Sequence, residues 1–168
     1  MPLRYVDPLK KRGPLKGAFV GFGRTPAGQW YARNVAARVD PWLFNATGGR
    51  LTAELGMIAT APLRTTGAKS GRPREVQITY LHDGPDPIAI ASNYGSPKNP
   101  QWYHNLIAHP ECQLGGENFI AAEITDPTDY ARVYGLAEKL YAGWTDYKAK
   151  VAPYGRHIPV FRLTPRDP

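Results

Sequence analysis

The sequence has a single cysteine and no long apolar run. Among its 168 residues only Cys112 carries a thiol, which excludes an internal disulfide and any zinc or iron–sulfur site that needs several cysteines. No segment reaches the about 18 consecutive apolar residues of a membrane-spanning helix, and no signal-peptide core follows the first basic residues. We therefore expect a cytoplasmic protein in a reducing compartment.

Two common arrangements of catalytic residues are also missing. No serine, histidine and acidic residue occur in a context that indicates a catalytic triad, and no pair of carboxylates stands out for acid–base chemistry. His104 and His109 are five residues apart and poorly aligned on a helix, and the other histidines lack ligand spacing. We predict that the chain has no metal site.

Positive charge is concentrated at the start of the chain. The formal net charge is +7, and residues 1–50 account for all of it, with nine lysines and arginines against two aspartates. Basic segments often contact nucleic acid or anionic lipid, but a solvated segment is an equally good interpretation. Because no recognised nucleic-acid module accompanies these charges, we expect no nucleic-acid partner.

Length and composition indicate one domain behind an irregular leader. The hydrophobic share of 42% is typical of a globular domain, and 17 glycines with 17 prolines predict frequent turns. Residues 1–26 are rich in proline, glycine and basic residues without a period, which predicts a basic flexible leader. Residues 27–168 are predicted to form a single domain.

An amphipathic helix is predicted near the start of this domain, from Gln29. Tyr31, Val35 and Val39 recur at helical spacing, and the Asp40-Pro41 dipeptide is expected to end the helix. We favour packing of this stripe against the domain. The alternative is peripheral association with an anionic membrane, at the inner face of the cell membrane.

Beyond residue 56, short β-prone runs alternate with turns and two helical segments. The predicted strands span residues 57–66, 74–82, 87–92, 111–115, 118–125 and 157–164. The predicted helices run from Pro100 to His109, with Asn99 as N-cap, and from Pro127 to about Tyr147, beginning near Asp126 and broken near Gly143. This order predicts an α+β fold, a six-stranded, mostly antiparallel barrel with flanking helices.

A turn between the first two strands collects positive charge. Lys69, Arg72 and Arg74 lie within six residues, beside Gly67 and Gly71. Glycine lets backbone N–H groups turn toward an anion, and arginine can bind phosphate or carboxylate in a bidentate manner. A phosphorylated ligand would fit here, although a hydrophilic hairpin turn explains the same residues.

A second segment joins a strand end, a small polar loop and a helix start over residues 91–106. Ser92 and Asn93 could bond the edge of a planar heterocycle, and Trp102 and Tyr103 bring flat rings beside the N–H groups of the first helical turn. Taken singly, each residue is also explained by loop capping or core packing.

These segments together resemble a known family. The runs over residues 63–74, 80–84, 91–106, 140–147 and 156–160, in this order and spacing, are similar to the deazaflavin-dependent nitroreductases, actinobacterial enzymes that use coenzyme F420. The resemblance covers roughly residues 55–165. It implies a split β-barrel, related to FMN-binding split barrels, that binds reduced F420 and passes a hydride to a small electron-poor acceptor.

Several alternatives stay open within that resemblance. The acceptor could be a quinone, an activated enone or a nitroaromatic, and a quinone would connect with the basic, aromatic N-terminal segment because it would dissolve in lipid. FMN is the competing cofactor. A carrier protein that binds F420 without turnover is the alternative function.

The resemblance also implies roles for individual residues. The implied cofactor-binding residues are Ala68, Lys69, Ser70, Arg74, Glu75, Val76, Gln77, Ile78, Thr79, Ala91, Ser92, Asn93, Trp102, Tyr103 and Asn105. The implied substrate-binding residues are Tyr141, Trp144 and Tyr147, and Ser92 and Tyr147 are the catalytic candidates.

Four positions depart from the family pattern. Members often carry arginine at Ala68, proline at Gln77, glycine at Tyr94 and tyrosine at Trp144. We therefore expect the phosphate contacts, the ring-edge contacts and the acceptor preference of this chain to differ from those of its relatives.

Overall fold

Six antiparallel strands close into a barrel. The computed structural model describes residues 3–10, 21–22, 25–47 and 59–166. The strands are β1 (Thr60–Thr66), β2 (Pro73–Asp83), β3 (Asp86–Ile90), β4 (Glu111–Leu114), β5 (Glu117–Glu123) and β6 (Val160–Pro165). Around the barrel their order is β1-β2-β3-β6-β5-β4, and every neighbouring pair is antiparallel. The predicted fold class is confirmed.

Side chains alternate between the barrel interior and its outer face. In β1, Ala61 and Leu63 are fully buried and Arg64 is exposed, as the period of two in a strand requires. Thr60 points to the outer face but is also buried, and the N-terminal helix Ala37–Thr47 packs over β1 and β2 there. One part of the outer barrel face is therefore shielded from water.

Two strand ends differ from the prediction because the residues there make hydrogen bonds outside the regular strand pairing. Ala91 and Ser92 were expected in β3, but the strand stops at Ile90 and the chain turns into a polar loop. Residues 157–159 were expected in β6, which begins at Val160. The Ala91 N–H donates to the Pro159 carbonyl, so these residues remain bonded outside the strands. Residues 57–58 lie outside the described residues.

The N-terminal helical segment continues through the proline that was expected to end it. It comprises α1 (Pro26–Tyr31), a π-helical turn (Ala32–Ala36) and α2 (Ala37–Thr47). The prediction of a helix end at Asp40-Pro41 was wrong. A proline removes one N–H and clashes with the preceding turn, and the π-helical turn just before α2 changes the hydrogen-bond register there.

The remaining helices flank the barrel. They are α3 (Gln101–Ala108), α4 (Pro127–Leu140) and α5 (Gly143–Val151). The Asp126 carboxylate accepts the Asp129 N–H and caps α4, as predicted. Asn99 was expected to cap α3, but Pro100 occupies the cap position and the Asn99 side chain binds Arg156 instead.

Residues 3–10 pack on the barrel without regular secondary structure. Val6 is buried. Its backbone N–H donates to His82 Nδ1, and its carbonyl accepts the backbone N–H of His82. The Tyr80 hydroxyl donates to the Arg4 carbonyl. Part of the predicted leader is therefore tied to β2, while residues 1–2, 11–20 and 23–24 lie outside the described residues.

Candidate functional site

A cavity of about 610 Å³ lies outside the barrel wall. Its walls come from strand β2, the loop between β3 and α3, the first turn of α3, the N-terminal helical segment and α5. Such a volume is in the range of sites that hold a cofactor or a drug-sized ligand. The segments that meet here are far apart in the chain.

The loop between β3 and α3 is held by one arginine. The Arg156 guanidinium donates to the Ser92 carbonyl at 3.0 Å, the Ser96 carbonyl at 2.6 Å and the Asn99 side-chain oxygen at 2.6 Å, and also to the Ala91 carbonyl. Burial lowers the pKa of Arg156 from its ordinary value. These bonds fix the backbone of a loop that places Ser92 and Asn93 at the cavity.

The same loop contains a strained turn. Asn93 and Tyr94 have φ angles of 47° and 54°, and a non-glycine residue in this left-handed region costs about 1 kcal/mol. Gly95 follows with φ of 73°, and a Cβ there would lie 3.0 Å from the Lys150 side chain. The tight approach of α5 to this turn therefore requires glycine at residue 95.

Aromatic rings line the α5 side of the cavity. Tyr147 packs edge-on against Tyr94 with centroids 6.3 Å apart, and Tyr141 packs edge-on against Trp144 at 5.9 Å. A Cβ on Gly143 would lie 2.1 Å from the Tyr141 ring, so only glycine leaves room for that ring. We call Tyr94, Tyr141, Trp144 and Tyr147 the aromatic wall.

The positively charged turn is anchored to α3 by a buried amide. Asn105 Oδ1 accepts the Ala68 N–H at 3.0 Å, and its Nδ2 donates to the Thr65 hydroxyl at 2.9 Å. Asn105 is almost fully buried, so both contacts are shielded from water. The turn is closed by the Gly71 N–H, which donates to the Gly67 carbonyl, and Gly71 has φ of 62°.

Comparison with known proteins identifies the family. The family model described as F420H(2)-dependent quinone reductase matches residues 36–165. The chain belongs to this family. An F420H(2)-dependent quinone reductase of Mycobacterium tuberculosis is 34% identical over 148 residues, which cover 82% of this chain and 97% of the relative.

Two solved structures are similar to this chain. An F420-H2 dependent reductase, FDR-A, is 31% identical with a TM-score of 0.53, covering 62% of this chain and 92% of that one. A second structure, described as a domain-swapped dimer, is 28% identical with the same TM-score, covering 73% and 97%. The predicted resemblance to F420-dependent split-barrel reductases is confirmed.

The structure of this quinone reductase family member brings most of the expected site residues together. Those that line the cavity are Arg74, Glu75, Val76, Gln77, Ile78, Thr79, Ser92, Asn93, Trp102, Asn105, Tyr141, Trp144 and Tyr147. No cluster of metal-ligating side chains occurs among the described residues.

Five of the expected residues do not line the cavity. Lys69 and Ser70 are exposed on the turn, and Ala68 uses its backbone to hold that turn to Asn105. Ala91 is buried beneath the loop, and Tyr103 packs its ring against Phe161 instead, with centroids 5.9 Å apart. The sequence neighbours of Ala91 and Tyr103, which are Ile90, Ser92 and Trp102, line the cavity instead.

Other lining residues were missed by the sequence analysis. The missed residues are Phe22, Gly28, Gln29, Tyr31, Ala36, Thr60, Thr65, Ile90, Asn99, Pro100 and Gln101, and Tyr94 had been noted only as a departure from the family. The amphipathic stripe indicated that the N-terminal helix packs on the domain. No local signal in the sequence says which part of the domain it covers.

Asn105 offers a direct test of the link between α3 and the charged turn. Asn105→Ala leaves the buried Thr65 hydroxyl and Ala68 N–H without this partner, so we expect the free energy of unfolding to fall by about 2–3 kcal/mol. The exposed neighbour His104→Ala should change it by less than about 0.5 kcal/mol. Urea denaturation measures both values, and equal losses in the two variants would contradict this role of Asn105.

Proposed function

We propose that this chain is a reductase that binds reduced F420 in the cavity and delivers its hydride to a quinone. The observation that carries the proposal is the aromatic-walled cavity bordered by a positively charged turn, in a chain of the quinone reductase family. When bound, reduced F420 supplies a hydride from its deazaflavin ring. The protein then has to bind and orient the cofactor and the acceptor and to exclude water from the site.

The residues present fit such a cofactor. The aromatic wall and Trp102 offer flat apolar surfaces for a planar ring, and Gln77 presents a buried side-chain oxygen that has no hydrogen-bond partner. Lys69 and Arg72 are exposed on the turn next to Arg74, which lines the cavity. An acidic oligoglutamyl tail would be attracted to these three side chains.

Ser92 and Tyr147 are the polar groups that we assign to the reacting partners. We infer that the Ser92 hydroxyl donates to the carbonyl oxygen of the acceptor or of the ring, where negative charge develops. The Tyr147 hydroxyl positions the acceptor or passes it a proton. Both side chains line the cavity.

The aromatic wall supports a flat, electron-poor acceptor. A planar quinone can stack against a ring face of the wall that borders the cavity, and Trp144 gives a larger apolar face than the tyrosine often present in the family. Three of the four rings, Tyr141, Trp144 and Tyr147, are buried, which keeps water away from the acceptor. A quinone is therefore our proposed acceptor, ahead of enones and nitroaromatics.

Stopped-flow absorbance tests this function. Mixing the protein and reduced F420 with a short-chain quinone should oxidise the cofactor at a rate that rises with quinone concentration. A panel of enones and nitroaromatics, run in parallel, ranks the acceptor classes. Binding of the cofactor without oxidation by any acceptor would instead indicate a carrier protein.

Neutralising the charged turn should weaken F420 binding selectively. For the double variant Lys69→Gln/Arg72→Gln we expect a Kd about threefold to tenfold higher at low salt, because two exposed charges opposite the acidic tail are lost. The difference should shrink at high salt. FMN, which lacks that tail, should be affected less, and tryptophan quenching measures both ligands.

Lys139→Gln is the matched control for this experiment. It removes an exposed positive charge from α4, which contributes no residue to the cavity lining. An unchanged F420 Kd in the double variant, or FMN binding as tight as that of F420, would contradict the proposed tail contact.

We further propose that the N-terminal helical segment rests on anionic membranes, where a lipid-dissolved quinone would be found. Trp30 and Trp42 are 63% and 68% exposed, and Arg38 is exposed beside them. Tryptophan and arginine favour the membrane interface. Among the helices of the described residues, none has the length and apolarity needed to cross a bilayer.

Vesicle flotation tests this surface. The wild type should float with vesicles containing anionic phosphatidylglycerol, and Trp30→Ser/Trp42→Ser should lose most of that binding. Tyr154→Ser removes an aromatic ring that is 63% exposed far along the chain and should float like the wild type. Equal flotation of all three proteins, or none by the wild type, would exclude this mode of attachment.

A further inference from the structure

Gln77 carries a buried carbonyl oxygen without a partner. Within the described residues, Gln77 Oε1 is the buried side-chain polar atom for which no hydrogen bond exists. Native proteins satisfy nearly all such atoms, so an exception needs an explanation, which is often a functional one. Gln77 is also one of the residues that line the cavity, so a ligand bound there would come close to its side chain.

The side-chain amide of Gln77 is held in place by its other end. Its Nε2 donates to the Thr60 hydroxyl at 3.1 Å. Gln77 pairs with Pro62 and Thr60 pairs with Thr79, so the two side chains lie on the same outer face of the barrel. Because Thr60 is itself buried under the N-terminal helices, the amide cannot turn toward bulk water without giving up this bond.

An acceptor oxygen that is held in place and shielded from water, such as Gln77 Oε1, favours ligands that carry a hydrogen-bond donor. An apolar ligand edge, or one with only carbonyl oxygens, would leave Oε1 unpaired and buried even more deeply. A ligand edge with an N–H or O–H group would satisfy it. The pyrimidinedione end of a deazaflavin carries such a group, an imide N–H between two carbonyls.

We propose that Gln77 Oε1 accepts a hydrogen bond from the imide N–H at the edge of the cofactor ring. The inference rests on the proposed function, because it assigns one atom of the same site. It concerns this chain in particular, since proline, which the family often has at this position, offers no side-chain acceptor. The contact orients the ring along β2, with its imide end toward Thr60 and Gln77.

A two-by-two binding experiment tests the contact. Wild type and Gln77→Met are each titrated with F420 and with an F420 analogue methylated at the imide nitrogen, and tryptophan quenching gives each Kd. Wild type should bind the methylated analogue about tenfold more weakly than F420. Gln77→Met should bind F420 about tenfold more weakly than wild type and should scarcely distinguish the two ligands.

Thermal melting of the ligand-free protein gives an independent readout. Gln77→Met removes an unpaired buried oxygen but also the bond from Nε2 to the Thr60 hydroxyl, so its melting temperature should stay within about 2 °C of that of wild type although ligand binding weakens. A purely structural role of Gln77 would lower both stability and affinity. Gln113→Met makes the same substitution on β4, outside this cavity, and should leave every Kd unchanged.

The possible failures are distinguishable. If wild type does not bind F420, the proposed function is wrong. If wild type binds F420 and its methylated analogue equally, or if Gln77→Met binds F420 as wild type does, the Gln77 contact is wrong and the function stands. If Gln77→Met is destabilised, the two Kd values of the wild type still decide the question.

Discussion

The guanidinium of Arg156 is the group on which the shape of the site depends. The loop between β3 and α3 has little regular structure, so its carbonyls need partners from elsewhere, and one side chain satisfies three of them together with Asn99. Burying this cation is costly because it loses hydration, and the same burial lowers the pKa of Arg156. The cost is offset because a planar fork of donors can reach several acceptors at once. No equally compact neutral side chain offers as many donors.

The barrel contributes rigidity and the segments around it contribute the chemistry. Strand β2 supplies one wall of the cavity with residues 74–79, and the strand continues directly into the buried core residues Tyr80 and Leu81. Around that wall, α5 is pressed so closely against the polar loop that Gly95 has no space for a side chain. The close approach of Lys150 and the Tyr147 Cα to Gly95 thus sets how far the aromatic wall lies from the polar loop.

Sequence patterns predicted what depends on local periodicity. The six strands, the Asp126 cap and the cavity residues of β2 could be recognised because each rests on neighbouring residues or on a family motif. The contribution of Arg156 could not, because its acceptors lie about 60 residues away and an isolated arginine after a turn has no signature. The same holds for Gln29 and Ala36, which reach the cavity only through packing of the N-terminal segment.

At Pro41 and Asn99 the sequence prediction followed a valid local preference and was wrong. Proline usually ends a helix, yet a π-helical turn precedes α2 and the helix continues. Asparagine is a good N-cap, yet the buried guanidinium of Arg156 is a stronger partner for its oxygen than a backbone N–H would be. For Asn99 the local preference was outweighed by a partner that lies 57 residues away in the sequence.

The hydrogen bond from Lys150 Nζ to the Gln29 side chain, 3.1 Å long, joins the last turns of α5 to α1 across 121 residues of sequence. It connects the N-terminal side of the cavity to the α5 side, which come from distant parts of the chain. A shortened chain lacking everything before α2 would keep the sequence of all six strands and would lose Phe22, Gly28, Gln29, Tyr31 and Ala36 from the cavity lining. A circular dichroism spectrum dominated by the barrel would therefore not report whether the N-terminal side of the cavity is in place.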